Sequence, residues 1–88
     1  MKSMKLFLVG YDLMSPGRDY STLYTALEAL GGHRVLFSQW VVRVSSNETA
    51  ARVRDHLRRY MDTNDRILVN DFYDWAAYNA LFDLSKAA

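Results

Sequence analysis

The feature that most constrains this chain is an unbroken uncharged stretch near its N-terminus. From Leu6 to Tyr11 the residues are mostly apolar and none carries a charge, and Asp12 follows directly. A continuous apolar run is typical of a strand covered on both faces, whereas a half-exposed strand alternates apolar and polar residues. Residues 5–12 are therefore predicted to form an interior strand of a sheet, with the Asp12 carboxylate at its C-terminal end.

Length and composition indicate one small cytoplasmic domain. The chain has 88 residues, half of them hydrophobic, which predicts a single domain spanning 1–88. It has no cysteine, which excludes disulfides and thiolate metal sites. No signal peptide or bilayer-length apolar run is visible, so no membrane association is expected. Six Tyr, four Phe and two Trp are more rings than a sheet covered on one face buries easily, which favours a homodimer.

The first half of the chain predicts a loop, a helix and two strands. Pro16-Gly17 marks the loop after the first strand. Gly31-Gly32 ends the helix that follows. Residues 33–44 are long for one strand and are interpreted as two strands with a bend near Ser38-Gln39, with one long strand as the alternative. The helix is indicated by apolar residues at helical spacing: Tyr20, Leu23, Tyr24, Leu27 and Leu30.

The second half predicts another helix, a strand and an extension. Ser45 and Glu48 have the spacing of a capping box, and the second helix is expected to run to about Met61. Residues 66–70 are predicted to form a short strand. In residues 71–88, the helical spacing of three aromatic residues predicts a short third helix or an arm: Trp75, Tyr78 and Phe82.

The resulting order is β-α-β-β-α-β, which is the ferredoxin-like arrangement. We therefore predict an α+β fold in which two helices cover one face of an antiparallel sheet. The core would span residues 5–70, and residues 71–88 would be a C-terminal extension.

Three stretches of the chain carry recognisable motifs: residues 9–13 (Val-Gly-Tyr-Asp-Leu), 34–40 (Arg-Val-Leu-Phe-Ser-Gln-Trp) and 65–69 (Asp-Arg-Ile-Leu-Val). Together they resemble the small CRISPR-associated (Cas) adaptation subunit, a ferredoxin-like family that includes metal-dependent endonucleases. Residues 9–13, Val-Gly-Tyr-Asp-Leu, are similar to the family's apolar strand ending in Tyr-Asp and an aliphatic residue. Residues 34–40 are similar to its Arg-Val-x-x-Ser-x-aromatic segment. Residues 65–69 are similar to its Asp-x-aliphatic fourth strand. The order and spacing of the three stretches also fit.

The resemblance implies a homodimer of antiviral defence in which the two copies of Asp12 meet near the two-fold axis. Those carboxylates would hold one Mg²⁺ for phosphodiester cleavage, and Arg18 resembles a basic position of the family. The chain departs from the family's pattern at two places. Residues 71–75 have a helical sequence pattern where the family has a swapped fifth strand, and the uncharged Pro16-Gly17 replaces a more charged loop. A stand-alone relative with a lost or changed activity, including toxin-type ribonucleases, fits these departures. An integrase-like or antitoxin-like protein is the corresponding partner.

The residues themselves leave alternatives open. Asp12 is the candidate catalytic and metal-binding residue, but an aspartate after a strand also caps loops through its own hydrogen bonds. Arg18, Arg34 and Arg43 are candidates for binding nucleic-acid phosphates, whereas exposed arginines are often only solubilising. Core or dimer packing is the expected use of four large aromatic residues that could also stack on bases: Tyr11, Tyr20, Tyr24 and Trp40.

Other acidic residues are interpreted as solvated turns, because their spacing misses the calcium loop of an EF-hand: Asp62, Asp65, Asp71 and Asp74. The competing function is a non-enzymatic dimer that binds nucleic acid or a protein, with Asp12 serving only the structure.

Overall fold

The chain forms a four-stranded antiparallel sheet and two helices, in a computed structural model that describes residues 3–86. The outermost residues of the predicted domain, 1–2 and 87–88, lie outside the described residues. The predicted element order is confirmed, and the elements are β1 (Met4–Asp12), α1 (Ser21–Ala29), β2 (His33–Leu36), β3 (Gln39–Ser45), α2 (Ala50–Arg58) and β4 (Arg66–Asp71). Within residues 3–86 no helix has the length and apolar character needed to cross a bilayer.

The sheet has the strand order β2-β3-β1-β4, so β1 lies in its interior as predicted. Every pair of neighbouring strands is antiparallel. Gly10 lies opposite Gln39 on one side and Leu68 on the other, and Asp12 lies opposite Arg66. This sheet is compatible with a ferredoxin-like fold, and it brings the end of β1, the start of β4 and the β2–β3 turn to one end.

The two helices pack on the same side of the sheet, which we call the helix face. Alternate residues of β1 and β3 point to this side, as the two-residue period of strands requires. Leu23 and Leu27 of α1 and Val53 and Leu57 of α2 are buried against them. The strands supply buried residues from β1 and β3 to the same cluster: Phe7, Val9, Tyr11, Trp40, Val42 and Val44.

The end of α1 depends on its two glycines. Gly31 has a φ of +68°, a conformation that side chains with a Cβ rarely adopt. The Gly32 N–H donates to the Leu27 carbonyl at 3.0 Å, and a Cβ on Gly32 would collide with that carbonyl. The predicted stop at Gly31-Gly32 is therefore correct, and it turns the chain from α1 directly into β2.

The start and end of α2 differ from the sequence expectation. The Ser45–Glu48 capping box is wrong, because Thr49 caps the helix by accepting a hydrogen bond from the Arg52 N–H at 3.2 Å. Asn47 donates its N–H to Ser45 Oγ, so Ser45 serves the preceding turn instead. The helix ends at Arg58 rather than near Met61, since the last turn tightens into bonds of three-residue spacing such as Tyr60 N–H to Leu57 O.

Residues 33–44 form two strands, as preferred over one long strand, with a tight turn at Phe37–Ser38. The bend therefore lies one residue earlier than the predicted Ser38-Gln39. The ladder is irregular between Arg34 and Leu36, a β-bulge that accompanies the tight turn.

Residues 72–86 form an arm that crosses the second side of the sheet, which we call the arm face. The arm alternative is confirmed, and the helix through Trp75, Tyr78 and Phe82 is wrong apart from a single 3₁₀ turn at Leu84–Lys86. Asn79 has a positive φ of 54°, which a right-handed helix cannot contain. Aromatic rings of the arm stack individually instead, Phe82 on His33 and Phe72 on Trp75. Asp71 is the last residue of β4, so the arm starts directly after the strand.

Candidate functional site

Asp12 ends β1 on the arm face, at a part of that face that the arm leaves open. Its side chain is 63% exposed, and its carboxylate lies 3.5 Å from the Arg66 guanidinium across the β1–β4 pair. Among residues 3–86 this ion pair is the only side-chain interaction of Asp12. Exposed pairs of this kind contribute little to stability. The carboxylate is therefore accessible to a ligand at small energetic cost.

Two open depressions meet at Asp12. One, of about 300 Å³, lies on the arm face and contains Gly10, Gln39, Arg66 and Leu68 in its walls. The other, of about 420 Å³, lies beside the β2–β3 turn and is lined by residues that include Tyr24, Phe37 and Ser38. We call the second depression the hairpin cleft. Asp12 lines both, so it can contact a ligand in either of them.

A buried carboxylate next to this end of the sheet holds the loop after Asp12. Within residues 3–86, Asp65 is the only buried polar or charged side chain. It accepts hydrogen bonds from the Met14 N–H at 2.7 Å, the Asp62 N–H at 2.8 Å and the Tyr20 hydroxyl at 2.8 and 2.9 Å. We call this group the Asp65 network. It joins the β1–α1 loop to the α2–β4 turn, and it fixes the backbone two residues after Asp12.

Opposing effects set the pKa of Asp65. Desolvation by itself would raise the pKa, but the hydrogen bonds from Met14, Asp62 and Tyr20 favour the charged form, and nearby Arg18 adds to them. The pKa of Asp65 consequently lies below its ordinary value. In return, desolvation and the hydrogen bond to Asp65 raise the pKa of the Tyr20 hydroxyl. Asp65 is thus an ionised structural group, and the interpretation of Asp65 as a solvated turn residue is wrong.

Arg18 strengthens the same connection between loops. Its Nη1 lies 2.6 Å from Asp62 Oδ1, its Nη2 donates to the Tyr60 carbonyl at 3.4 Å, and its guanidinium lies 5.5 Å from the centre of the Tyr20 ring. The structure therefore places this predicted phosphate-binding residue in a pairing with Asp62. Its side chain as a whole remains about one-third exposed.

The other two predicted phosphate ligands lie apart from Arg18. Arg34 lies on the helix side of β2, with its guanidinium 4.6 Å from the centre of the Tyr24 ring and 5.2 Å from that of Trp40. Arg43 lies opposite Leu6 near the other end of β1, roughly 20 Å from Asp12 at the usual rise per strand residue. The structure thus does not bring the three arginines together, and Arg34 is the one that contacts Tyr24, a residue lining the hairpin cleft.

The large aromatic residues are mainly structural, as expected. Tyr11, Tyr20 and Trp40 are buried, and the Trp40 Nε1–H donates to the Tyr11 hydroxyl at 3.0 Å. Burial raises the pKa of Tyr11, partly opposed by the hydrogen bond from Trp40. Tyr24 is half-buried, and its ring stacks on Trp40 at 6.1 Å between centres. Tyr24 therefore presents part of its ring to the hairpin cleft.

One chain by itself does not assemble a metal centre in its described part. Residues 3–86 contain no cluster of three or more histidine, cysteine, aspartate or glutamate side chains arranged to hold a cation. Mg²⁺ needs only one or two protein carboxylates, because it keeps several of its waters. Asp12 fits that requirement when a second carboxylate comes from another copy of the chain.

No family model matches the sequence, and no solved structure matches it significantly. The likeness to the Cas adaptation subunit therefore depends on the three sequence stretches alone.

Sequence reasoning missed two features of this end of the molecule. The Asp65 network joins residues 45 to 51 positions apart, and the one signal for Asp65 was its place at the head of the third resembling stretch. Phe37 was assigned to a strand, yet it occupies the turn and is 82% exposed. An apolar residue in a tight turn, where polar residues and glycine are the rule, is a signal that could have identified it.

Proposed function

We propose that this chain is a ferredoxin-like homodimer of nucleic-acid metabolism or defence in the cytoplasm, with metal-dependent endonuclease activity at paired Asp12 carboxylates. The observation that carries the proposal is the exposed position of Asp12 at the end of the interior strand. The resemblance to the Cas adaptation subunit assigns the metal to this aspartate. The strand order β2-β3-β1-β4, with both helices on one face, supports the ferredoxin-like assignment.

The open part of the arm face supports the homodimer. Leu68 is 69% exposed there, although it lies on a strand next to β1. Between Leu68 and Gln39 lies Gly10, which has no side chain to hold a second sheet away. Pairing this surface with its own copy would bury both Leu68 side chains and bring the two Asp12 carboxylates together.

A cation between the two carboxylates would offset their mutual repulsion, which is otherwise costly on burial. When bound, Mg²⁺ would supply activation of a water molecule and neutralisation of the charge that develops on the phosphate. The chain's own part is to position the two carboxylates. The Asp65 network holds the loop that follows Asp12. The Arg66 guanidinium, 3.5 Å from the Asp12 carboxylate, would bind the substrate phosphate.

One observation favours the non-enzymatic alternative. The Asp12–Arg66 ion pair gives Asp12 a cross-strand interaction without any metal. In that case the protein would be a dimeric binding module, and Asp12 would only join β1 to β4.

A cleavage assay with matched variants tests the proposal. Purified protein is incubated with single- and double-stranded RNA and DNA, in Mg²⁺ or Mn²⁺ and in chelator. We expect cation-dependent cleavage that Asp12→Asn abolishes and that the exposed control Asp74→Asn retains. Cleavage that survives Asp12→Asn or chelator would overturn the mechanism, and binding without any cleavage would establish the alternative.

The dimer is tested separately by sedimentation. We expect the wild-type protein to sediment as a dimer and Leu68→Asp as a folded monomer, because a charge at this position opposes its burial against a copy. The monomeric variant should also lose cleavage. A wild-type monomer at micromolar concentrations would remove the paired site altogether.

A further inference from the structure

An exposed aromatic ring lies in the turn at the Asp12 end of the sheet. Phe37 is 82% exposed in the β2–β3 turn. Among residues 3–86 it takes part in none of the aromatic ring pairs. Tight turns select residues such as glycine and asparagine for their backbone freedom, which phenylalanine does not supply. Its ring is therefore available to a ligand.

The hairpin cleft contains a second aromatic ring besides Phe37, and a positive charge lies next to that second ring. Tyr24 lines the cleft, and its ring is held in place by stacking on Trp40. The Arg34 guanidinium does not line the cleft itself, but it lies 4.6 Å from the centre of the Tyr24 ring, so a cation neighbours the Tyr24 side of the cleft. At about 420 Å³, the cleft is within the range of small-ligand sites, roughly 300–1,000 Å³.

Two aromatic walls and a guanidinium suit a planar ring that is attached to a negative charge. We infer that the hairpin cleft binds one unstacked base of a single-stranded nucleic acid, with Phe37 as the stacking surface and Arg34 facing the adjoining phosphate. Stacking of bases on exposed aromatic side chains, combined with nearby basic residues, is a general mode of single-strand binding. Without a bound cation the Asp12 carboxylate repels phosphate, so the phosphate next to the bound base is expected on the Arg34 side of the cleft.

The geometry selects single strands over duplexes. In a duplex each base is already stacked on its neighbours, and its face reaches a protein side chain only after unpairing. This inference deepens the proposed function, since it names the substrate class of the same site. A base held in the cleft would lie beside Asp12, which lines the cleft.

Binding without metal isolates this inference from catalysis. Fluorescence anisotropy in chelator measures the affinity for labelled short single-stranded RNA and DNA, the matching duplexes, and an abasic strand with the same phosphates. We expect Phe37→Leu to weaken single-strand binding by about 5- to 150-fold, the range of one base–aromatic stack. Phe37→Tyr retains the ring and should bind like wild type. The affinity of the wild-type protein for the abasic strand and for the duplexes should be no higher than the affinity of Phe37→Leu for single strands.

Several outcomes would overturn the inference. These are unchanged affinity in Phe37→Leu, duplex or abasic binding as tight as single-strand binding, or a shift of Phe37→Leu to a monomer in sedimentation, which would make Phe37 a contact between copies. A urea midpoint equal to that of wild type excludes misfolding as the cause of weaker binding. If single strands bind through Phe37 but are never cleaved, the cleft inference is supported and the nuclease proposal is wrong. If cleavage requires Asp12 but the binding affinity does not depend on Phe37, the nuclease proposal is supported and the cleft inference is wrong.

Discussion

The two faces of the sheet are built differently. The helix face is covered by α1 and α2 around a continuous buried cluster that includes Phe7, Leu27 and Leu57. Among residues 3–86, the buried cluster on the arm face is smaller and consists of Val35, Val41 and Leu84, and Leu68 stays largely exposed. The difference also separates the two aspartates, since Asp65 is buried behind the helix-side loops while Asp12 is exposed on the arm face. The larger buried cluster is thus on the helix face, whereas the exposed Asp12 carboxylate lies on the arm face.

The largest expected effect comes from emptying the helix face. Leu27→Ala removes a fully buried side chain, and the lost contacts and the cavity should reduce the free energy of unfolding by about 2–5 kcal/mol. The same substitution at Leu81, which is 56% exposed on the arm, should change it by no more than about 0.5 kcal/mol. Urea unfolding followed by circular dichroism measures both. Equal losses would refute the contrast between the faces.

The next effect distinguishes the two aspartates. Asp65→Asn replaces a carboxylate that accepts hydrogen bonds from three donors with an amide whose N–H group must face one of those donors. The substitution should lower the free energy of unfolding by about 2–3 kcal/mol. Asp12→Asn makes the same chemical change at an exposed ion pair, and should cost no more than about 0.5 kcal/mol. Urea midpoints of the two variants give the comparison directly. If Asp12→Asn were as damaging as Asp65→Asn, Asp12 would be a structural residue.

These contrasts also define what the sequence could predict. The interior position of β1, the glycine stop of α1 and the element order follow from local patterns and from the rules of chain connection, and all are observed. The burial of Asp65 depends on two distant loops meeting, which no local pattern records. The arm has helical aromatic spacing, but Phe82 stacks on His33 of β2 and Asn79 has a positive φ, so the arm follows the sheet instead of forming a helix.

A smaller effect is expected from loosening the arm. Leu84 is buried, but in the smaller arm-face cluster, so Leu84→Ala should cost about 1–2 kcal/mol, below the usual range for a main core. The arm should also open locally, because few backbone hydrogen bonds join it to the sheet. Within residues 3–86 these are the bond from the Leu81 N–H to the Val35 carbonyl and the bond from the Phe72 N–H to the Leu6 carbonyl. Hydrogen exchange at the Leu81 amide should accelerate, while amides of α1 keep their protection. Acceleration in α1 as well would mean that the two faces unfold as one unit.

The smallest effect is the pH dependence of the Asp65 contribution. The pKa of Asp65 is lower in the folded chain than its ordinary value, which is about 3.9 in the unfolded chain. Between the two values the unfolded state binds more protons, so the stabilisation by Asp65 is complete above about pH 4 and is lost as the pH falls through the folded pKa. The difference in urea midpoint between wild type and Asp65→Asn should therefore shrink on acidification. All other carboxylates are common to both proteins, so a difference that stayed constant from about pH 5 to about pH 2 would show that Asp65 stabilises the loops without its charge.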